Sequence, residues 1–105
     1  RGLQSRRRIT SITMVLTLHI AREGSHHYLA RVFDGKDMVG DSTEHERIDN
    51  AIAYYGTEGE KRFPSVTEFS IWYGGWSIGN VSLDRMRADA AQLANRLVVL
   101  SAVLR

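Results

Sequence analysis

The sequence predicts a two-layer α+β domain, an antiparallel sheet of four to five strands with two helices on one face, in the order β-β-β-α-β-β-α. Three observations carry this reading. Apolar and polar residues alternate at period two near the start of the chain and again after Pro64; two later stretches place apolar residues at helical spacing; short glycine-containing turns separate the strand-like runs. At 105 residues the chain has the length of one domain with one modest core. Its 43% hydrophobic and 25% charged residues, with a single proline, are those of a globule and not of a disordered or fibrous segment.

The elements follow in order. Over residues 12–21, Ile12, Met14, Leu16, Leu18 and Ile20 share one face, while Thr13, Val15, Thr17, His19 and Ala21 share the other, as in a half-buried strand. The run "REGSHH" supplies turn residues, and residues 28–33 resume a strand pattern that breaks at Asp34-Gly35, a pair favoured in type I′ hairpins. A short third strand is expected over 36–40. Thr43 followed by Glu46 forms a capping box, in which each side chain satisfies a backbone N–H, so a helix is expected to begin there. Ile48, Ala51, Ile52 and Tyr55 lie at helical spacing, Gly56 is placed to end the helix, and 57–64 reads as a charged loop.

Residues 66–73 form the next expected strand, with Phe69, Ile71 and Tyr73 on one face and Val66, Glu68, Ser70 and Trp72 on the other. Gly74-Gly75 can take the positive φ angles of a two-residue hairpin, which lets 76–81 return antiparallel. Ser82 then caps a helix running from residue 83 to about 104, and Asp84 in its first turn complements the helix dipole.

Composition excludes several classes of function. The chain has no cysteine, hence no disulfide framework, no thiolate metal site and no cysteine nucleophile, which fits a reducing compartment, and a cytoplasmic location is expected. The longest apolar run, "LVVLSAVL", is less than half the ~18 residues needed for a membrane-spanning helix, so no membrane span is expected. The pI near 9.3 suggests nucleic acid, but the charge is local. Arg1, Arg6, Arg7 and Arg8 supply four of the fourteen basic residues, leaving ten against twelve acidic ones. Residues 1–9 are read as a flexible basic tail, of vector or upstream origin if Met14 is the natural start, and residues 10–105 as the single domain. Nucleic-acid binding through that tail ranks third among the functions considered.

The stretch "IWYGGWSIG" holds both tryptophans and is read first as a hairpin, with a stacking role layered on it. If the first strand and the Trp72 strand are neighbours, His19, Glu68 and Trp72 line one polar-aromatic patch on the sheet face away from the helices. With Tyr73 and Trp76 they make the candidate ligand site. His26-His27 is the most conspicuous polar pair, but adjacent strand residues point to opposite faces and no HExxH-like spacing links them to His19 or His45, so no metal is expected. Phosphate-cradling loops are absent too: "GDSTEHE" lacks a P-loop lysine, and "YGGWSIG" does not run from strand into helix. No cofactor and no catalytic set is assigned.

The last helix gives the strongest pattern. Leu83, Met86, Ala90, Leu93, Leu97, Leu100 and Leu104 alternate spacings of three and four, and Val98, Val99, Ala102 and Val103 add apolar surface off that stripe. A helix apolar nearly all round must be buried on more than one side. The leading expectation is therefore a non-enzymatic interaction protein that assembles as a homodimer through Leu97, Val98, Val99, Leu100, Val103 and Leu104; the alternative is a small-ligand or enzymatic pocket at the tryptophans. In size and composition the chain resembles, in general character only, the small αβ proteins carried by mobile gene cassettes.

Overall fold

The architecture is built around its first strand. In the computed structural model, which describes residues 14–103, five strands lie in the order β3-β2-β1-β4-β5. These are β1 (Val15–Gly24), β2 (His27–Asp34), β3 (Asp37–His45), β4 (Glu68–Tyr73) and β5 (Trp76–Ser82). Leu16, Leu18 and Ile20 of β1 are buried under helices α1 (Ile48–Arg62), α2 (Leu83–Ala88) and α3 (Ala90–Val103). All three helices share one face of the sheet, which meets the two-layer expectation.

The sheet is mixed, where a purely antiparallel one was expected. β1–β2, β2–β3 and β4–β5 pair antiparallel, but β1 and β4 run parallel, with Leu16 opposite Phe69 and Leu18 opposite Ile71. The cause is connectivity: after three alternating strands the chain stands at the far end of the sheet, and α1 carries it back across the face. β4 then starts from the same end as β1 and must run with it.

Several boundaries also differ from the sequence reading. β3 continues to His45, so Thr43 is a strand residue and the Thr43/Glu46 capping box does not form; α1 starts at Ile48, and its N-cap residue Arg47 makes no side-chain cap. Thr43 instead bonds inward, its hydroxyl 2.9 Å from that of the buried Tyr55. Nor does α1 stop at Gly56, since it runs through Gly56 and Gly59 to Arg62. Both glycines are close-approach positions: a Cβ on Gly56 would stand 2.9 Å from the Arg87 backbone nitrogen, and one on Gly59 would stand 2.9 Å from the Phe69 ring. Helix propensity gives way to packing here.

The last helix is broken at Asp89. The hydrogen-bond ladder survives the break, because the Asp89 N–H reaches the Arg85 carbonyl and the Leu93 N–H reaches that of Asp89. The segment is therefore kinked, which lets Met86 meet α1 at Gly56 while Leu93 and Leu97 turn down onto the sheet. Ser82 caps α2 as expected, its hydroxyl accepting from the Arg85 N–H at 3.2 Å.

Turn chemistry accounts for the hairpins. Gly74 and Gly75 have φ of 60° and 88°, which is the two-residue turn the sequence predicts between β4 and β5. Between β2 and β3 the turn residues are Gly35-Lys36, one position later than expected, and Gly35 at φ 64° takes the first central position of a type II′ turn. No helix among the described residues is long and apolar enough to cross a membrane.

Candidate functional site

The sheet face opposite the helices carries the other half of each strand's alternation. On β1 this is Val15, Thr17, His19 and Ala21, and the pairing register fixes their neighbours. His19 stands directly opposite Arg31 on β2 and directly opposite Trp72 on β4, so a cation, an imidazole and an indole form one row across the three central strands. Cross-strand neighbours of this kind have Cβ atoms about 4.5–5.5 Å apart. One position along, Thr17 lies between Phe33 and Ser70, and the Trp72 indole N–H donates to the Ser70 hydroxyl at 3.0 Å. Trp72 is 37% exposed and Met38, opposite Phe33, is 44% exposed.

Of the five residues expected to form a ligand site, the fold brings together His19 and Trp72. Glu68 shares their face but pairs with Val15, four residues along the strand and about 13 Å from Trp72. Tyr73 pairs with Ile20 and therefore points to the helix side, where its ring meets Tyr28 at 6.3 Å between centroids. Trp76 closes the hairpin opposite Tyr73, so it belongs to that side as well. The sheet thus divides the aromatic stretch, because neighbouring strand residues face opposite ways and the two-residue turn mirrors that alternation. Arg31 was not expected in the site. Its signal was its place between Leu29 and Phe33 on the less apolar phase of β2, which becomes legible once the β1–β2 turn fixes which residue faces His19.

Burial, and secondarily the Arg31 guanidinium, pushes the His19 imidazole below its ordinary pKa of 6.5. His45 is also pushed down, by burial, but it lies on the helix side of β3. Its Nε2 is 2.8 Å from the Thr43 hydroxyl, which is 2.9 Å from that of Tyr55. Thr43 has one proton to give. With Nε2 of His45 unprotonated, Thr43 donates to it and accepts from Tyr55; a protonated His45 donates to Thr43, whose two lone pairs can accept from His45 and Tyr55 together. His26 occupies the β1–β2 turn at φ 58°, and His27 pairs with Glu44 at 3.2 Å. Among the described residues no three His, Asp or Glu side chains gather as metal ligands.

A pH dependence follows. Both depressed histidines bind a proton less readily in the folded chain than in the unfolded one, so stability is full above pH 6.5 and declines as pH falls from there toward the folded-state values. The thermal midpoint should fall between pH 7.5 and 5.5, and His45→Gln should flatten that slope. An unchanged slope in both His45→Gln and His19→Gln would contradict the assignment.

Two grooves lie elsewhere. One of about 340 Å³ runs between the β1–β2 turn, the start of α1 and α3, lined by His26, Tyr28, Arg47, Asp49, Asn95 and Val98 among others. Its strongest cation is already engaged, since Arg47 donates to Asp49 at 2.9 Å. The second, of about 270 Å³, is bordered by Glu60, Thr67, Asp84 and Arg87. Neither reaches His19 or Trp72.

The outer side of α3 forms a separate surface. Leu97, expected at a subunit interface, is buried in its own chain's core and is not available to a partner, because the kink at Asp89 turns it onto the sheet. Val98, Val99 and Val103 stand 45%, 47% and 70% exposed, and Leu100 is half-buried. Leu104 and the arginine-rich stretch over residues 1–8 lie outside the described residues. No family model matches the chain, and neither does any curated protein or any solved structure.

Proposed function

We propose that the chain is a small non-enzymatic interaction protein. The observation that carries this reading is the sheet face opposite the helices: Trp72 is 37% exposed there, and His19, Trp72 and Arg31 line neither of the two grooves, so a substrate held there would stay in contact with bulk water. Catalytic sites gain most of their electrostatic strength by excluding water, whereas an open face with exposed aromatic and apolar groups suits a protein surface. Turnover of any small substrate that depended on His19 would count against it, and His19→Gln is the variant to assay.

A second surface supports self-assembly. Val98, Val99 and Val103 leave apolar area in water on one side of a helix whose other side is already used, and an isologous pair of α3 helices would cover it. Val99 is at the centre of this strip, so Val99→Asp is expected to turn a dimer into a folded monomer by light scattering. Wild-type protein already monomeric at high micromolar concentration would remove homodimerisation from the proposal and leave the sheet face as its remaining interface.

A further inference from the structure

We propose that the sheet face opposite the helices docks an acidic segment of a partner protein, whose carboxylate lands between Arg31 and His19. This inference rests on the interaction-protein reading and names the chemistry of its partner.

The starting point is an unbalanced cation. Five other basic side chains each hold a carboxylate: His27 holds Glu44, Arg47 holds Asp49, Lys61 holds Glu58, Arg85 holds Asp89 and Arg87 holds Asp84. Lys36 and Arg96 form no ion pair or hydrogen bond among the described residues, but both are exposed; Arg31 also forms none, and it is half-buried in the middle of the sheet. The residue across from it on β1 is His19, a basic group, where a carboxylate would have stabilised the pair. Of the carboxylates on this face, Glu44 lies diagonal to Arg31, opposite Leu29, and is held by His27, while Glu68 is four residues from Trp72 along β4.

The surroundings select the kind of anion. Leu29, Phe33 and Trp72 flank the Arg31–His19 pair with apolar surface, Met38 continues it on β3, and neither groove reaches the pair. A polyanion would need several cations, and this face offers one permanent positive charge. What fits is a single carboxylate presented between apolar side chains on a broad surface, with the guanidinium supplying two parallel donors.

Proton linkage then follows. The charged groups that face His19 are Arg31 on β2 and, farther along β4, Glu68; β3 contributes Glu44 two strands away, and the helices lie on the opposite face. A carboxylate placed beside His19 offsets Arg31 and favours the imidazolium, so docking should tighten as pH falls toward the range in which His19 takes up its proton.

The test uses the full chain and a defined probe, the peptide acetyl-Val-Glu-Val-Glu-Val-amide, with its Gln counterpart as the uncharged control. Binding is followed by NMR at the Arg31 Nε–H and the Trp72 indole N–H. The acidic peptide should shift both signals, with an affinity at least about tenfold above that of the Gln peptide, and should tighten several-fold from pH 7.5 to 5.5. Arg31→Gln should remove the preference for the acidic peptide, and His19→Gln should remove its pH dependence; both side chains lie off the helix-covered core, and the core methyl signals report that each variant is folded. Equal binding of the two peptides, no shift at millimolar peptide, or equal shifts with inorganic phosphate would each overturn the proposal. Substrate turnover at His19 would instead overturn the interaction-protein reading beneath it.

Discussion

Replacing Gly56 by Val is expected to destabilise the fold by about 3 kcal/mol, although an interior helical glycine is ordinarily a weak point. The sign is set by α2. A Cβ on Gly56 would stand 2.9 Å from both the Arg87 backbone nitrogen and the Met86 Cβ, and its carbonyl accepts a 2.6 Å hydrogen bond from the Arg87 guanidinium. Backbone cannot swing aside like a flexible side chain, so α2 must separate from α1 along the whole contact. Thr57→Ala, one position on and exposed, is the control: it should be neutral or slightly stabilising. Urea denaturation should show a lower midpoint for Gly56→Val at unchanged slope.

Phe69→Ala should cost more, about 3–5 kcal/mol. Phe69 is fully buried, lies beside Leu16 of β1, meets the Tyr55 ring in a T-shaped contact at 5.8 Å between centroids and approaches Gly59 closely enough to exclude a Cβ there. It therefore touches both layers at the point where β4 joins the rest of the sheet. A domain of this size has about 5–15 kcal/mol of total stability, so the variant should be near its unfolding threshold at 37 °C. Should it not fold, Phe69→Leu retains most of the volume and should lose about 1.5 kcal/mol or less. A loss below 1 kcal/mol for Phe69→Ala would mean that the cavity collapses, and that α1 is less firmly seated than its contacts imply.

Much of the fold was legible because the period of two is unambiguous in β1, β2 and β4, and because Gly74-Gly75 admits few alternatives to a hairpin. The errors fell where local and tertiary preferences conflict. Thr43 and Glu46 satisfy the spacing of a capping box, but the Thr43 hydroxyl gains more by meeting Tyr55 and His45 on the covered face. Gly56 resembles a helix end to any local rule, and only the approach of α2 explains why the helix passes through it. The parallel β1–β4 pair was deducible in principle from the count of three strands before α1. For the site, His19 and Trp72 could be placed on a common face by alternation alone. Tyr73 and Trp76 were grouped with them by nearness in sequence, which a strand converts into opposition. Arg31 gave no sign of its role until the hairpin register set it opposite His19.

The parallel join between β1 and β4 also bears on how the chain reaches this structure. The antiparallel hairpins close over short loops, whereas the Met14–Thr67 contact at the start of the β1–β4 seam spans 53 residues. Loop closure over that distance is the slow entropic step, and contacts of high sequence separation are the ones that set folding rates. The β1–β2–β3 meander and the β4–β5 hairpin can each form early, and the core completes only when α1 draws the second against the first. Until then β1, which carries Leu16, Leu18 and Ile20 of the core, presents an unpaired edge, and during synthesis on the ribosome it must wait for β4 to emerge before that edge is covered.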